Sequence, residues 1–551
     1  MIKIITLFLA YIFFSNSEFV FSQQKTLSDT SLYSRTLDIN QILFRVNNRG
    51  SLDQFGPYFG GGGHWNQLIT SLNGPIVYDQ GLWITGKIEN EIHLALSEWR
   101  STYSPGPIVN NYPVNLSDVK DSLKFRVYKI TKGDSYSNPD YAEWPSIYGA
   151  PIDNSSNPLI LGGQTIWTVY NSYYSNKKIG QWWKNNPDTT QPTPLEIHQT
   201  IFAWKGNVKD NKNIFSNIIF MQWEIINKGS KKIDSTFIGL WTDIDFFDVT
   251  KNVPAVDTVN QLGYCWYKPD TSSNYNIAPP AVGYQLLYGP AVPSPGGTAV
   301  IKGEKRIGFK NLKLNSFHGI YDDSPGVLFG EISSVNSAWN VARGLDEKGN
   351  PFIDPYTGRE TRFPLSGDPA ANTGWIYSGP LGGGAGFVMF SGPFTFSPSD
   401  TQWVLAALIP AEGNSRFESI KLMKEKASIL KSLPYDSIAY GVNAIALNYI
   451  DSTNIDTTSE MLPENFVLYQ NYPNPFNPST IIRFSLKEKG FVRLEVYNLL
   501  GQKVIELLNS EMDIGTYEVP FDGSKYASGI YFYRLDVKGK YTSIKKMVFL
   551  K

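Results

Sequence analysis

The sequence of 551 residues has almost no cysteine, little histidine and no excess of one charge. Its one cysteine, Cys265, has no second cysteine to form an internal disulfide, and none of its four histidines has another at metal-ligand spacing. With 49 basic and 50 acidic residues, the net charge of −1 is too small to attract a polyanion. These scarcities argue against a disulfide scaffold, a histidine-based zinc site and a nucleic-acid partner.

The familiar catalytic motifs are missing as well. The sequence has no His-Glu-x-x-His, no Gly-x-Ser-x-Gly and no phosphate loop ending in Gly-Lys-Ser or Gly-Lys-Thr. No basic residue stands beside Cys265 to activate its thiol as a nucleophile. Carboxylate-based hydrolysis is therefore the chemistry that stays open.

Hydrophobic runs are short throughout the chain. The longest, Ile4 to Phe14, follows Lys3 and precedes Val20-Phe21-Ser22, the pattern of a secretory signal cut at a small residue. The alternative is a membrane anchor, but a bilayer span needs about 20 apolar residues. We predict a signal peptide over residues 1–22 and a soluble, exported mature chain.

The remaining composition is that of a folded β protein. Hydrophobic residues make up 42% of the chain and aromatic residues 14%, which excludes a disordered chain. Runs rich in Val, Ile, Tyr, Phe, Trp and Thr recur between turn residues, for example over 125–130, 218–226, 236–242 and 403–409. The pattern predicts an all-β body of the sandwich type over residues 23–450, as one large module or two.

Two features inside the body have a definite predicted structure. The runs 220–226 and 237–241, joined by Asn227 to Ser230, indicate two strands linked by a hairpin-type turn. Ser415 and Glu418 have capping-box spacing, and apolar residues then recur every three or four positions, which predicts one amphipathic helix near 416–431 packed on a sheet. The polar stretch 451–461 is predicted to be a linker.

The last 90 residues contain more specific motifs. Asn-Tyr-Pro-Asn-Pro-Phe-Asn-Pro over 471–478 leads into alternating strand-like runs, and the chain ends in Lys-Lys-Met-Val-Phe-Leu-Lys over 545–551. The prolines force extended backbone and supply no ladder donor, so they indicate an ordered loop leading onto an edge strand. About seven short strands fit a small immunoglobulin-like sandwich over 462–551. The alternative is a plain adhesive module of the same fold.

This segment resembles the type A C-terminal sorting domain of proteins exported by the type IX secretion system. The resemblance rests on the Asn-Pro motif, the Tyr-Asn-Leu-Leu-Gly-Gln turn over 497–502, the Ser-Gly-Ile-Tyr-Phe-Tyr-Arg-Leu strand over 528–535 and the basic terminus. It implies recognition by the outer-membrane type IX machinery, followed by release or attachment to surface lipopolysaccharide with removal of the domain. The residues that match the signal are Asn474, Pro475, Gly529, Tyr531, Arg534, Lys545, Lys546 and Lys551.

The body resembles a family of large uncharacterised secreted proteins that carry the same sorting domain. The resemblance spans about residues 42–435 and includes Gly-Leu-Trp-Ile at 81–84, Gln-Thr-Ile-Trp-Thr-Val-Tyr-Asn at 164–171 and Gly-Leu-Trp-Thr-Asp-Ile-Asp at 239–245. It implies no activity, because that family has no established function.

Four aspartates form the one acidic cluster of interest. Asp243, Asp245, Asp248 and Asp257 follow an apolar strand, and carboxylates so close repel one another unless they are protonated or bind a hard cation. The cluster is a candidate Ca²⁺ site, although an EF-hand is excluded because its fifth and twelfth positions would be Phe247 and Pro254. The alternatives are solvated turn aspartates and the carboxylate pair of a glycoside hydrolase.

Aromatic residues supply a candidate ligand contact. Trp182 and Trp183 follow Tyr173-Tyr174 and would stack on sugar rings if they were exposed on one face. Core packing is the alternative for these side chains. Taken together, the sequence predicts a secreted or cell-surface protein of structural or ligand-binding character, with an exported polysaccharide-active enzyme as the alternative.

Overall fold

The computed structural model describes residues 33–53, 62–65, 74–98, 101–114, 123–153, 155–173, 190–205, 214–270, 278–321, 332–379, 384–433, 466–471, 474–512 and 515–550. The chain divides between Asp451 and Ser452 into two compact units, the body and the tail unit. The predicted signal peptide and linker lie outside the described residues. No described helix is long and apolar enough to cross a membrane.

The described part of the body is built from strands. In chain order they are β1 (Ser34–Leu37), β2 (Ile42–Asn47), β3 (Gly63–Trp65), β4 (Gly74–Val77), β5 (Asp79–Ile88), β6 (Glu91–Leu96), β7 (Ser104–Pro105), β8 (Ile108–Val109), β9 (Tyr112–Pro113), β10 (Tyr128–Thr131), β11 (Gln164–Asn171), β12 (Leu195–Ala203), β13 (Ile219–Asn227), β14 (Ile233–Ile244), β15 (Asn252–Asp257), β16 (Leu262–Tyr267), β17 (Ala281–Tyr288), β18 (Ala291–Ile301), β19 (Glu304–Asn311), β20 (Leu314–Tyr321), β21 (Phe352–Ile353), β22 (Glu360–Thr361), β23 (Ala385–Phe396) and β24 (Thr401–Ala411).

Two large antiparallel sheets organise these strands. Within the described residues, one has nine strands in the order β10-β11-β12-β13-β24-β17-β16-β15, with β7 also paired to β11, and the other has five in the order β20-β23-β14-β5-β6. Shorter sheets are formed by β1 to β4 and by the pairs β8-β9, β18-β19 and β21-β22. The all-β prediction is confirmed.

The two large sheets pack face to face around the main hydrophobic core. Side chains of both sheets belong to one buried cluster, for example Leu240 and Met389 of the five-stranded sheet with Val404 of the nine-stranded sheet. The sheets approach closely where Gly263 faces Phe387, since a Cβ on this glycine would lie 2.5 Å from the phenyl ring. The body is therefore a β-sandwich, as the alternating strands predict.

Helices cover the outer faces of the sandwich. They are α1 (Pro139–Ala142), α2 (Val335–Ala342) and α3 (Arg416–Ser432) among the described residues. Helix α3 confirms the predicted helix, because Ser415 Oγ accepts from the Glu418 N–H at 3.1 Å and the apolar stripe packs on the nine-stranded sheet. The expectation of one helix was incomplete, since α2 packs Trp339 against Phe237 on the five-stranded sheet.

The predicted hairpin between 220–226 and 237–241 was wrong. Strand β13 pairs with β12 and β24 in one sheet, whereas β14 pairs with β5 and β23 in the other. The turn between them therefore carries the chain across the sandwich. Asn227 holds this crossing, because its Nδ2 donates to the carbonyls of Lys231 and Phe396 at 3.0 and 2.9 Å.

The tail unit has two antiparallel sheets of its own. Its described strands are β25 (Val467–Leu468), β26 (Ser479–Leu486), β27 (Gly490–Asn498), β28 (Lys503–Met512), β29 (Gly515–Asp522), β30 (Gly529–Val537) and β31 (Tyr541–Phe549). The orders are β25-β26-β29 and β28-β27-β30-β31, so β31 is an edge strand. A separate buried cluster of apolar side chains lies between the sheets.

Candidate functional sites

The Asn-Pro segment, described over residues 470–471 and 474–478, lies along the open edge of the terminal strand β31. The Phe476 N–H donates to Val548 O at 2.9 Å, and the Leu550 N–H donates to Phe476 O at 3.0 Å. Asn474 Oδ1 accepts from the Val548 N–H at 2.7 Å. A side-chain oxygen thus replaces a strand carbonyl at this edge.

A second set of hydrogen bonds extends the same contact. Gln470 Nε2 donates to Lys546 O at 2.7 Å. The hydroxyl of Tyr533 accepts from the Asn471 N–H and donates to Tyr469 O, each at 2.7 Å. Burial raises the pKa of Tyr533 to about 12, so its hydroxyl keeps the proton that it donates. The Asn-Pro segment is therefore fixed to both β30 and β31.

Aromatic packing holds the segment from the inside. Phe476 is 2% exposed and stacks on Phe549 with ring centroids 5.0 Å apart, while the edge of its ring faces Phe521 at 5.8 Å. Burying one phenyl side chain stabilises a fold by about 1.5–3 kcal/mol. Two motifs about 70 residues apart in the sequence therefore form one folded structure.

The predicted sorting residues have different positions in this structure. Asn474 bonds the terminal strand directly, and the exposed Pro475 beside it has no N–H to leave unpaired. Gly529 begins β30. Tyr531 is buried, and its hydroxyl donates to Ala527 O at 2.8 Å. These residues build the fold of the tail unit.

Arg534 belongs to an ion-pair cluster on the outer face of the four-stranded sheet. Its Nη2 lies 3.3 Å from Glu495 Oε2, which also accepts from the Tyr497 hydroxyl at 2.6 Å, and Lys503 Nζ lies 3.2 Å from Glu495 Oε1. Burial opposes ionisation of Glu495, but these donors lower its pKa overall. Glu495 is therefore an ionised centre shared by three strands.

The terminal lysines differ in orientation. Side chains alternate along β31, so Lys545 lies on the same side as the buried Met547 and Phe549, and the exposed Lys546 lies on the opposite side. Lys551 lies outside the described residues. The two adjacent lysines therefore present their charges to different surroundings.

In the body, two of the four candidate calcium ligands serve local turns. Asp248 caps a short 3₁₀ turn, accepting from Thr250 N–H at 3.1 Å and Thr250 Oγ1 at 2.6 Å. Asp257 accepts from Val259 N–H, Asn260 N–H and Asn260 Nδ2 at 2.9 to 3.0 Å. Backbone and side-chain donors therefore already use oxygens of both carboxylates.

The other two candidate ligands lie at the end of β14. Asp243 is paired with Asp79 on β5 and with Gly386 on β23, and Asp245 follows the strand. Over the described ranges, no three His, Cys, Asp or Glu side chains come together in an arrangement that could hold a metal ion. Calcium binding by Asp243, Asp245, Asp248 and Asp257 stays a prediction.

Trp182 and Trp183 lie outside the described residues, but Tyr173, which precedes them in the sequence, forms a described aromatic pair with Tyr112. The ring centroids of Tyr112 and Tyr173 are 6.4 Å apart, and Tyr112 is 67% exposed. Tyr112 lies in the β8-β9 hairpin, which is bound to the sheet where Ile108 N–H donates to Glu196 Oε2 at 2.6 Å. The hairpin therefore presents an aromatic ring at the surface.

A charged cluster on β12 and β13 has no counterpart among the sequence-based candidates. His198 Nε2 lies 2.9 Å from Glu196 Oε1, and His198 Nδ1 lies 3.8 Å from Glu224 Oε2. Lys228 Nζ is 3.3 Å from Glu196, and Lys302 of the β18-β19 turn contacts Glu224. The sequence signal is the alternation Glu-Ile-His inside an apolar strand, but the cross-strand partner Glu224 appears only with the fold.

The directions of the pKa shifts in this cluster indicate a structural role. Burial opposes the charge on His198, yet the two glutamates raise its pKa overall, and the pKa values of Glu196 and Glu224 are lowered by His198 and the lysines despite burial. The loop at Gly149 packs on the imidazole, because a Cβ there would lie 2.2 Å from His198 Cε1. The cluster therefore joins a loop and a hairpin to the sheet as paired charges.

Asp79 has the opposite electrostatic environment. It is 5% exposed, and burial raises its pKa to about 7, although the N–H groups of Leu52 and Gln80, each 2.8 Å from Oδ1, act against the rise. The nearby charge of Asp53 adds to it. Asp79 is thus a buried carboxyl that gains or loses its proton near neutral pH.

An open groove runs along the solvent side of helix α3. It has a volume of about 720 Å³ and lies between the helix and the loop at 368–371, with Phe417, Lys421 and Glu425 in its wall. Lys424 Nζ crosses it to Asp368 at 3.0 Å. The groove is lined by both acidic and basic side chains and does not include the tyrosine pair.

Comparison with known proteins identifies the tail unit. Residues 470–550 match the family described as the secretion system C-terminal sorting domain. No curated protein matches the chain significantly.

Comparison with solved structures gives weak likenesses to the chain. They include a polysaccharide lyase (8% identity, TM-score 0.18, 68% of this chain and 39% of that chain), heparan sulfate lyase HepC from Pedobacter heparinus (10%, 0.21, 70% and 36%) and dimeric latent PorU from Porphyromonas gingivalis (12%, 0.14, 70% and 31%). The chain spans less than two fifths of the length of each of these proteins. TM-scores this low carry no argument about the body.

The match to the tail unit has a direct consequence for location and partner. A sorting domain implies interaction with the type IX machinery and export to the cell surface or the extracellular space. Residues 470–550 of the tail unit thus match the secretion system C-terminal sorting domain, and this match indicates that the protein is exported by the type IX route.

Proposed function

We propose that the exported body is a structural or ligand-binding module that contacts glycans outside the cell and does not hydrolyse them. The observation that carries the proposal is the contact between the exposed Tyr112, on a surface hairpin, and Tyr173, which follows β11. Exposed tyrosine rings suit sugars because their apolar faces cover the C–H face of a pyranose while the hydroxyl stays hydrated.

The setting of the pair supports binding. Asn171 Nδ2 donates to Gly106 O at 2.8 Å, and the Tyr173 N–H donates to Asn171 Oδ1 at 3.1 Å, so the backbone at Tyr173 and the backbone that leads into the hairpin are both tied to β11. A ring held by a rigid sheet loses little conformational entropy when a ligand stacks on it. Trp182 and Trp183, predicted contacts of the same kind, follow Tyr173 in the chain.

The charges of the described carboxyl groups favour binding over hydrolysis. A glycoside hydrolase needs a proton donor with a raised pKa beside an ionised carboxylate across a cleft. Glu196 and Glu224 have lowered pKa values and are engaged in ion pairs. Asp79 has a raised pKa, but it is buried and bound to two backbone N–H groups.

The sorting domain leaves two fates for the exported body. We propose that the tail is removed at the cell surface and that the body is either released or attached to lipopolysaccharide. The mass of the mature protein distinguishes the two, because an attached chain carries added polysaccharide and migrates above the mass of its polypeptide.

The route itself is tested by deleting residues 462–551. The truncated chain is expected to fold and lose its signal peptide but to stay in the periplasm of a bacterium that has the type IX machinery. Normal surface display of the truncated chain would disprove type IX export of this protein.

Glycan binding is tested with the full mature protein on a panel of immobilised polysaccharides. Tyr112→Ala should weaken binding about fivefold or more, since the stacking of one nucleic-acid base on an aromatic side chain, a contact of similar geometry, contributes about 1–3 kcal/mol. Tyr356→Ala is the matched control, because Tyr356 is 70% exposed but lies in the 354–358 turn. Equal binding by both variants would show that the tyrosine pair does not contact the glycan.

The enzyme alternative is tested with the same protein and panel. We expect no release of reducing sugar from any polysaccharide. Turnover that is abolished by changing one Asp or Glu to its amide would overturn the binding proposal and establish a carboxylate-based hydrolase.

A further inference from the structure

The terminal strand β31 has four sides, and three of them are occupied within the described tail unit. Its inner face carries Met547 and Phe549, which are fully buried in the core. One edge pairs with β30 along its whole length. Over 546–550, the other edge is closed by the Asn-Pro segment. The outer face stays open to a partner over the whole strand, whereas the second edge lacks this closure only over 541–545.

That outer face has a distinctive composition. Register places Ile530 beside Val548, Phe532 beside Lys546 and Arg534 beside Ile544. Ile530, Ile544 and Leu550 are 39, 58 and 52% exposed, and apolar side chains that are exposed together on one face are a mark of an interaction surface. We call Ile530, Phe532, Ile544, Lys546, Val548 and Leu550 the outer strip.

The two basic side chains at the outer strip differ in whether an acidic residue already pairs with them. Arg534 is already paired with the ionised Glu495 at 3.3 Å. Lys546 is exposed and has no ion pair among the described residues. The strip therefore offers one uncompensated cation within an apolar surface, which fits an apolar patch that carries a carboxylate.

We propose that the outer strip is the surface by which the outer-membrane type IX machinery recognises this protein. The occupant follows from the family of the tail unit, which implies interaction with that machinery, and from the geometry of β31, which leaves this face open. The Asn-Pro segment then acts as a positioning element, because it closes the edge of β31 and fixes the strip without contributing to its surface. This inference rests on export by the type IX route.

Two pairs of variants in the full chain test the strip in a bacterium that has the machinery. Lys546→Glu reverses the charge on the outer face, and Lys538→Glu makes the same change at an exposed residue in the turn between β30 and β31. Ile544→Asp places a charge in the strip, and Leu500→Asp places one at a residue that is 82% exposed in the turn between β27 and β28. Surface display is measured by antibody on intact cells, with the periplasmic fraction as its complement.

We expect Lys546→Glu and Ile544→Asp each to lower surface display about tenfold or more, and we expect both variant proteins to accumulate in the periplasm. A tenfold loss of display corresponds to a loss of about 1.4 kcal/mol in the free energy of binding to the machinery. Lys538→Glu and Leu500→Asp should be displayed like the unmodified chain. Ile544→Thr keeps a β-branched side chain but removes apolar surface, so a smaller loss with unchanged thermal unfolding separates recognition from folding.

Normal display of Lys546→Glu and Ile544→Asp would overturn the proposal that the outer strip is the recognition surface. If the chain lacking residues 462–551 were still trapped, export by the type IX route would stand and only the recognition surface would be wrong. Display of that truncated chain would instead refute the route itself. Equal losses in test and control variants would also reject the strip, because they would show a requirement for the whole fold.

Discussion

Asp79 makes the stability of the body depend on pH in a direction opposite to that of most aspartates. Its pKa is about 7 in the folded chain against a usual value of 3.8, chiefly because the carboxyl is buried. Between these values the folded state holds a proton that the unfolded chain has lost, so stability is full below about pH 4 and falls as the pH rises through 7.

The size of the effect follows from the two pKa values. Proton binding by the folded and unfolded states at these two pKa values gives a loss of about 3 kcal/mol in the free energy of unfolding between pH 5 and pH 8 from this one carboxyl. Unfolding entropy is about 2.1 cal/mol/K per residue, or roughly 0.9 kcal/mol/K for a unit of this size. The loss therefore corresponds to a melting temperature lower by about 3 °C at pH 8.

Asp79→Asn should remove this pH dependence and keep the local hydrogen bonds. The amide oxygen of asparagine can accept from the N–H groups of Leu52 and Gln80 as the carboxylate does. Scanning calorimetry at pH 5 and pH 8 should show a variant close to the unmodified chain at pH 5 and more stable at pH 8, with a melting temperature about 3 °C higher.

Asp153→Asn is the matched control for the same measurement. Asp153 lies in an exposed turn, where hydrogen bonds from Asn157 and Ser155 lower its pKa below the usual value, so it is ionised in both states at pH 5 and at pH 8. This variant should shift both melting temperatures equally. The reasoning fails if Asp79→Asn changes stability by the same amount at the two pH values.

Three further perturbations test other parts of the body. Gly149→Ala should destabilise the body by at least about 1 kcal/mol more than Gly133→Ala in denaturant titration, because both glycines have φ near +100° but only the first would bring a Cβ against His198. Equal costs would show that the imidazole gives way. Asp140→Ala should cost about 3 kcal/mol, since it removes the carboxylate that pairs with the buried Arg35 and Arg126 at 3.4 and 3.0 Å and leaves Arg126 with the exposed Glu143 as its acidic partner; a cost below about 1 kcal/mol would contradict a buried pair. Added Ca²⁺ at one hundred times its dissociation constant should stabilise the body by about 2.7 kcal/mol if the four predicted aspartates bind it, and identical melting curves in chelator and in millimolar Ca²⁺ would reject the site.

Local patterns predicted local structure well in this chain. The capping box and the three- and four-residue steps placed a helix at 416–431, and α3 spans Arg416–Ser432. Phe417 is the exception, because it is 36% exposed at the margin of the apolar stripe. Periodicity identifies the buried face of a helix but leaves the side chains at its borders undecided.

Assignment of strands to sheets was beyond the sequence. Strands β13 and β14 are adjacent in the chain and apolar on both faces, so neither periodicity nor the turn at 227–230 distinguishes a hairpin from a crossing between sheets. The charged cluster around His198 could not be predicted for the same reason, since Glu224 becomes a neighbour of His198 only through the pairing of β12 with β13. The second helix, α2, has eight residues, too few for a clear period.

The sorting domain shows why two distant motifs occur in one signal. An edge strand with unpaired N–H and C=O groups is a template for aggregation, and the terminal strand of this chain is an edge strand. Asn474 supplies a side-chain acceptor to the Val548 N–H, and Phe476 supplies a backbone donor and acceptor to Val548 and Leu550, while the intervening Pro475 has no N–H of its own to satisfy. The Asn-Pro segment thus closes the edge without adding a strand that would itself need a partner. The edge is closed only when the domain has folded, so an unfolded chain cannot present the fixed outer face of β31. The hydrogen bonds that protect the terminal strand therefore also make its outer face a signal that folding is complete.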